Sequence, residues 1–280
     1  MRKNLYGVVG KLKSGKSTVT AIWQLLDTFY NDSAIIKHRK MYAKGDSLVK
    51  GCDWYANDIN YTLKFLQSNK HAGISTKWHE VSFAYKLKQI ISLITSIPMI
   101  ALFDQEVKAS ASGIGNYSVR DLHKKIGTDL FRNQLGNDVW VNALFNDFGE
   151  KKWIVSDVRF LNEAKAITER EGILIKIVRF NIGDRVYFAP GEGSNDRDKK
   201  GEYLISKINA DEDCLISDGY SEIGAWFSEL KLISADNHQS ETELEQIETD
   251  YTIYNCTTIE NLIEQVKEIM IEEGIINEKS

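Results

Sequence analysis

Near the start of the chain, Gly10-Lys11-Leu12-Lys13-Ser14-Gly15-Lys16-Ser17 has the spacing G-x-x-x-x-G-K-S. A loop of this kind between a strand and a helix turns successive backbone N–H groups toward phosphate oxygens. The helix N-terminus adds partial positive charge. Glycines let the backbone come close, Lys16 can reach β- and γ-phosphates, and the Ser17 hydroxyl can ligate Mg²⁺. Gly10, Ser14, Gly15, Lys16, Ser17 and Thr18 are the expected nucleotide-phosphate residues. Leu5 to Val9 before them reads as a buried strand, and Val19, Ile22, Trp23 and Leu26 after them fall at helical spacing.

A second group of chemistry-bearing residues follows the run Trp153-Ile154-Val155-Ser156-Asp157. A carboxylate ending a buried strand can hold a metal or its hydration shell beside a phosphate loop, or can cap the next helix. Both readings of Asp157 stand on sequence alone. Arg159 would share that strand edge, where a guanidinium can grip phosphate with two N–H groups. Arg120, Arg132 and Arg179 fall at expected helix ends and turns. Singly each reads as a surface residue, but together they suit a site that must offset several phosphate charges.

These residues need elements to bring them together. His79 to Ala84 reads as a second strand, followed by Leu87, Ile90, Ile91 and Ile94 at helical period. Ser118 and Asp121 have capping-box spacing, and Val119, Leu122, Ile126 and Leu130 continue that helix. Helices are expected over 57–67, 139–148 and 162–170. Ile173 to Val178 and Tyr251 to Tyr254 read as strands, and Thr257 and Glu260 as caps of a last helix through Ile259, Leu262, Ile263, Val266 and Ile269. Strands alternating with helices predict an α/β fold with a parallel sheet and a ligand at its C-terminal edge. The stretch from Phe180 to Asp236 departs from this rhythm, with Arg185 to Phe188, Tyr203 to Ile205, Cys214 to Ile216 and Trp226-Phe227 separated by glycines. It reads as a small inserted β-barrel or sandwich, or else as a long irregular lid.

Composition narrows the classes. Hydrophobic residues make up 42% and charged residues 27% of the 280, as in a globular domain rather than a disordered chain. The two prolines, Pro98 and Pro190, exclude Pro-rich linkers. No secretory leader is read at the N-terminus, and the longest apolar run, Ile90 to Phe103, is too short to span a bilayer. Three separated cysteines, Cys52, Cys214 and Cys256, fit reduced thiols in a cytoplasm. No Cys or His spacing suits a protein-held zinc. Net charge is −5, yet 236–280 carries 12 acidic residues against two lysines, leaving the remainder at +5. A mildly cationic body suits a small anionic substrate better than a long nucleic acid, though a solvated acidic last helix explains the imbalance equally well.

Several blocks resemble the phage-type deoxynucleoside monophosphate kinases. Ser118-Val119-Arg120, Ile126-Gly127-Thr128-Asp129 and Asp138-Val139-Trp140-Val141-Asn142 look like their central motif. Ile154-Val155-Ser156-Asp157-Val158-Arg159-Phe160, with Asn162-Glu163-Ala164 and Ile177-Val178-Arg179, is similar to a second block. Ser82-Phe83-Ala84 with Leu87-Lys88 resembles the short block usually written F-A-D-P-L-K, with Tyr85-Lys86 replacing its D-P pair. His238, Ser240 and Glu241, with Asp250-Tyr251, Ile253 and Asn255, match the block before the last helix.

The resemblance implies a three-layer P-loop kinase fold over 1–181 and 235–280, with the 182–234 insertion in the slot where this superfamily places a lid. It implies transfer of the γ-phosphoryl group of ATP, with Mg²⁺, to a deoxynucleoside 5′-monophosphate. Carried over by position, Lys16, Arg132, Asp157 and Arg159 are catalytic. Ser17 and Asp157 are associated with metal, and Phe83, Lys88, Arg120, Arg132 and Trp140 bind the acceptor. Trp140 stacks near the base or simply fills the core. The expected partner is a small molecule, with no nucleic acid required, no membrane, and a homodimer left open. The expected compartment is a cytoplasm, that of the host if the chain is phage-encoded. A kinase of another small acceptor, of the dephospho-coenzyme A kind, and a non-catalytic nucleotide-binding regulator are the competing readings.

Overall fold

The computed structural model describes residues 4–31, 33, 76–191, 196, 199–209, 213–233 and 239–277. The helix expected over 57–67, Cys52 and His238 lie outside these residues, as do the side chains of Ser240 and Glu241.

The chain opens with strand β1 (Leu5–Val9), buried throughout, which feeds the phosphate-type loop and helix α1 (Lys16–Asn31). Strand β2 (Trp78–Val81) follows, then α2 (Ala84–Thr95), a 3₁₀ turn (Met99–Phe103) and the short α3 (Gln105–Ala109). Helix α4 (Val119–Lys124) starts on the expected capping box. Ser118 Oγ accepts from the Asp121 N–H at 3.1 Å, and Asp121 Oδ2 accepts from the Ser118 N–H at 3.0 Å. From Lys125 to Leu135 this helix widens into a π-helix, followed by α5 (Val139–Phe145). Strand β3 (Lys152–Val158), α6 (Leu161–Thr168) and β4 (Ile173–Val178) come next. Strands β5 (Arg185–Phe188), β6 (Gly201–Ile208), β7 (Asp213–Ser217), β8 (Glu222–Trp226) and β9 (Leu230–Leu232) form a separate run. Helix α7 (Gln239–Leu244), strand β10 (Tyr251–Tyr254) and α8 (Ile259–Glu272) complete the described chain.

The α/β expectation holds. Five strands form a parallel sheet in the order β2-β3-β1-β4-β10, with β1 paired to β3 on one side and β4 on the other. Alternation along β1 divides the core. Tyr6 and Val8 join Ile22, Trp23 and Leu26 of α1 and Leu262, Val266 and Met270 of α8 on one face. Leu5 and Val9 meet Ile167 of α6 and the aromatic packing around Phe83, Trp140 and Phe145 on the other. Central β1 therefore delivers the loop to the middle of the sheet's C-terminal edge.

The inserted strands form an open antiparallel sheet in the order β8-β7-β6-β5-β9. Because β8 and β9 are its two edges, the strand pairing makes no barrel closure among the described residues. Its core is not its own alone. Phe180, Val186, Phe188, Ile216 and Phe227 are buried with Val178, Tyr254 and Cys256 from the tips of β4 and β10.

The π-helix corrects one sequence expectation. Leu130, placed at helical spacing on the core side, is 52% exposed. Widening to i→i+5 bonding moves the buried stripe onto Gly127 and Arg132, five residues apart. Two smaller boundaries also move. The last helix is capped by Thr258, whose side chain accepts from the Asn261 N–H, not by Thr257; and Phe227 belongs to a 3₁₀ turn rather than a strand. No helix among the described residues is long and apolar enough to cross a membrane.

Candidate functional site

The phosphate-type loop is folded around two left-handed residues, Lys13 at φ 64° and Gly15 at φ 103°. A side chain at Gly15 would collide with the Asn255 amide, and one at Gly10 would lie 2.6 Å from Ser14 Oγ and 2.9 Å from the Ile177 carbonyl. The loop thus requires both glycines for close approach. Asn255 Nδ2 donates to the Ser14 carbonyl at 2.8 Å, so the residue after β10 props the loop. Lys16 Nζ donates to the Gly10 carbonyl at 2.6 Å and the Lys11 carbonyl at 2.7 Å, folded back over its own loop. Ser14 Oγ is buried with no hydrogen-bond partner among the described residues. An orphaned hydroxyl inside a curl of backbone N–H groups suits a ligand that brings acceptors, as a phosphate does. Ser17, at the start of α1, is exposed.

Beside this loop lies a cavity of about 680 Å³ that includes Lys11 and Leu12 in its wall. Phe83, Lys88, Arg120, Arg132, Trp140, Asp157 and Arg159, expected at the site and spread over four helical elements, β3 and the residues flanking α2 and β3, all line it. Phe83 ends the segment after β2 and packs edge-on against Phe145 at 6.1 Å. Trp140 is buried on α5, donating Nε1–H to the Gly127 carbonyl at 2.9 Å and tilted against Phe131 at 4.9 Å. It therefore fills the core and forms the cavity wall at once. Arg120 donates to Gln105 Oε1 at 3.2 Å across the α3–α4 junction.

Asp157 does not cap α6, one of the two roles considered from sequence. Its Oδ1 accepts from the Phe83 N–H at 2.8 Å and its Oδ2 from the Ala84 N–H at 3.0 Å, fastening the start of α2 to the end of β3. The helix it caps is α2, not α6. Each oxygen keeps a second lone pair. Among the described residues no cluster of three Asp, Glu, His or Cys side chains could hold a metal ion. A magnesium ion at this site would be carried by the nucleotide's phosphates, water and the Ser17 hydroxyl, in keeping with its preference for few protein ligands.

Arg132 is held within the protein by a carboxylate and a ring. Its Nη2 lies 2.5 Å from Glu163 Oε1, its guanidinium carbon sits over the Phe160 ring 3.9 Å from the centre, and it is 9% exposed. The ionised Glu163 carboxylate balances its charge. Burial pushes the Glu163 carboxyl up to about 7, against the pull of Arg132, with the Asp157 charge adding to the rise.

The sequence reading missed Glu163 as a site residue. It also missed Lys108, which clusters with Lys88, Arg120 and Arg159 on the cavity wall. Burial first, and then these neighbouring cations, hold the Lys108 ammonium below the ordinary lysine range. Lys88 is lowered by burial too, partly offset by Asp157 and Glu80, and sits 4.0 Å from the Phe103 ring centre. A group of cations that repel one another in this way is stabilised by an arriving anion.

A second cavity, about 550 Å³, opens on the other side of the loop between Lys11–Ser14, Lys176–Asn181 and Leu230–Ile233. It holds Arg179, which is thereby separated from the other arginines. Lys11 pairs with Glu245 at 3.0 Å at its margin, and Lys11 and Leu12 belong to both cavities. Comparison of the chain with models of protein families and with curated proteins gave no match.

Proposed function

We propose that the protein transfers the γ-phosphoryl group of ATP to a deoxynucleoside 5′-monophosphate. One observation carries this reading: seven acceptor-side and catalytic residues, from Phe83 to Arg159, line a single cavity that adjoins the phosphate-type loop. Phosphoryl transfer asks for positioning and for charge stabilisation more than for a strong base, and this wall supplies cations without a matching number of carboxylates.

In this reading ATP's phosphates lie in the loop from Gly10 to Thr18. Lys16 exchanges its two loop carbonyls for phosphate oxygens, and Ser17 helps hold Mg²⁺, which when bound neutralises charge between the β- and γ-phosphates. Lys88, Lys108, Arg120 and Arg159 take the acceptor's phosphate. Phe83 and Trp140 bound the space beside the base. Asp157 orients the segment carrying Phe83 rather than reacting. In this reading the antiparallel sheet, which shares its core with the tips of β4 and β10, serves as a lid on the donor side.

Release of ADP, followed with dTMP, dGMP, dCMP, dAMP and modified pyrimidine monophosphates in turn, tests the proposal. Turnover with at least one of them is expected. ATP binding without transfer to any, or transfer only to a dephospho-coenzyme A-like alcohol, overturns it.

A further inference from the structure

We propose that Glu163 is the positioning residue of the acceptor cavity, setting the geometry of Arg132 and Arg159 through one carboxylate; this rests on reading the cavity as the acceptor site. Glu163 is buried in the first turn of α6 and makes three hydrogen bonds. Oε1 accepts from Arg132 Nη2 at 2.5 Å, and Oε2 accepts from the Arg159 N–H at 2.9 Å and the Phe160 N–H at 3.2 Å. Phe160, so fixed, supplies the ring on which Arg132 stacks. The guanidinium is held at one corner and across its plane. Among the described residues its other N–H groups carry a single contact, 3.4 Å to the Asn137 carbonyl.

This arrangement differs from a structural ion pair. A two-pronged pair would consume the guanidinium fork, whereas the single-ended one leaves donors with a fixed direction. Because Glu163, when ionised, cancels the charge of Arg132, the pair then adds direction rather than net attraction. The net positive charge comes from Lys88, Lys108, Arg120 and Arg159. Replacing a buried pair by apolar residues is often neutral for stability, so packing alone gives little reason for one in a cavity wall. Fixed donors that meet charge only as it moves are what a transfer step requires. Arg132 thus contacts the migrating group, and Glu163 acts through it.

The test is a double-mutant cycle on the full chain: Glu163→Gln, Arg132→Met, and both together, with kcat measured for the best monophosphate and its Kd by calorimetry. Glu163→Gln is expected to lower kcat by about a hundred-fold, the cost of a small misplacement, with acceptor Kd near the wild-type value. The double variant should be no slower than Arg132→Met alone. An unchanged kcat in Glu163→Gln, a parallel loss of affinity and kcat, or a double variant showing the product of both single losses overturns the proposal. Should Glu163→Gln not fold, Arg132→Met/Glu163→Met removes both charges. It is expected to fold and be as slow as Arg132→Met, and wild-type turnover in it overturns the proposal. Wild-type protein that neither binds nor phosphorylates any monophosphate overturns the reading of the cavity, and the positioning role falls with it.

Discussion

The Asn255 amide donates to the Ser14 carbonyl at 2.8 Å, tying the turn after the last strand to the loop after the first. Asn255 also closes the space beside Gly15, so the loop is held from outside as well as by its own glycines. Asn255→Ala should therefore weaken ATP binding by about tenfold, the worth of one hydrogen bond in the upper part of the usual range. Acceptor Kd should stay unchanged. Titration calorimetry with ATP checks this, and equal ATP affinity in the variant would remove Asn255 from the loop's support.

Lys16→Ala should abolish transfer while leaving the protein folded. The hydrogen bonds of Nζ to Gly10 and Lys11 are local ones within the loop, whereas at the γ-phosphate it would stabilise charge in motion. A loss of about 10²–10³ in kcat or more is expected, with a circular-dichroism spectrum like the wild type's. Retained turnover would sink the kinase reading of this loop.

Asp157→Ala should act first on stability. It strips acceptors from two backbone N–H groups at the start of α2, each costing about 1–3 kcal/mol if left unpaired. Thermal unfolding should show a clear fall in Tm, and the Mg²⁺ concentration for half-maximal activity should hardly move. A large shift in that concentration at unchanged Tm would instead make Asp157 a direct metal ligand.

Glu163 gives a pH signature. Its carboxyl titrates near 7 in the fold and near 4.5 when unfolded, so the folded chain holds the extra proton between those values. Its contribution to stability is therefore greatest below about 4.5, falls as pH rises toward 7, and is level above. Glu163→Gln should flatten that part of the profile measured by chemical unfolding. A profile as steep in the variant as in wild type would assign the slope to other groups.

Phe227→Ala probes the antiparallel sheet. The ring lies 5.4 Å from Phe180 and 5.6 Å from Tyr254, whose neighbour is Asn255. A buried Phe→Ala change costs about 3–5 kcal/mol. It should also raise the ATP Kd, because Tyr254 leads directly to the loop's prop. Unchanged ATP affinity would make the sheet a passenger.

What the sequence disclosed, and what it withheld, follow the range of the forces. Leu5–Val9, Ile173–Val178 and Tyr251–Tyr254 were legible because each is a short apolar run bounded by polar residues. The Ser118–Asp121 box was legible because capping spans three residues. The π-helix was not: an α-period carries Leu130 inward, and only packing around Gly127 and Trp140 favours the wider turn. Glu163 could be quoted in a motif, but its bond to Arg132 spans 31 residues and no local pattern announces it. A glutamate at the third position of a helix that begins without Ser or Thr was the one available hint. For the same reason the sequence offered Asp157 as a cap of the next helix, when the N–H groups it accepts from lie 73 and 74 residues earlier in the chain.

The link between Asn255 and Ser14 spans 241 residues, and that from Tyr6 to Glu273 spans 267. A ribosome has therefore made the glycine-rich loop long before it makes the residues that brace it. Contacts this distant in sequence are slow to form, because a large loop must close before they give any return. During synthesis the loop would remain without its prop until β10 and the residue after it have joined β4. Nucleotide competence should thus appear abruptly, once Asn255 has been made and β10 has joined β4.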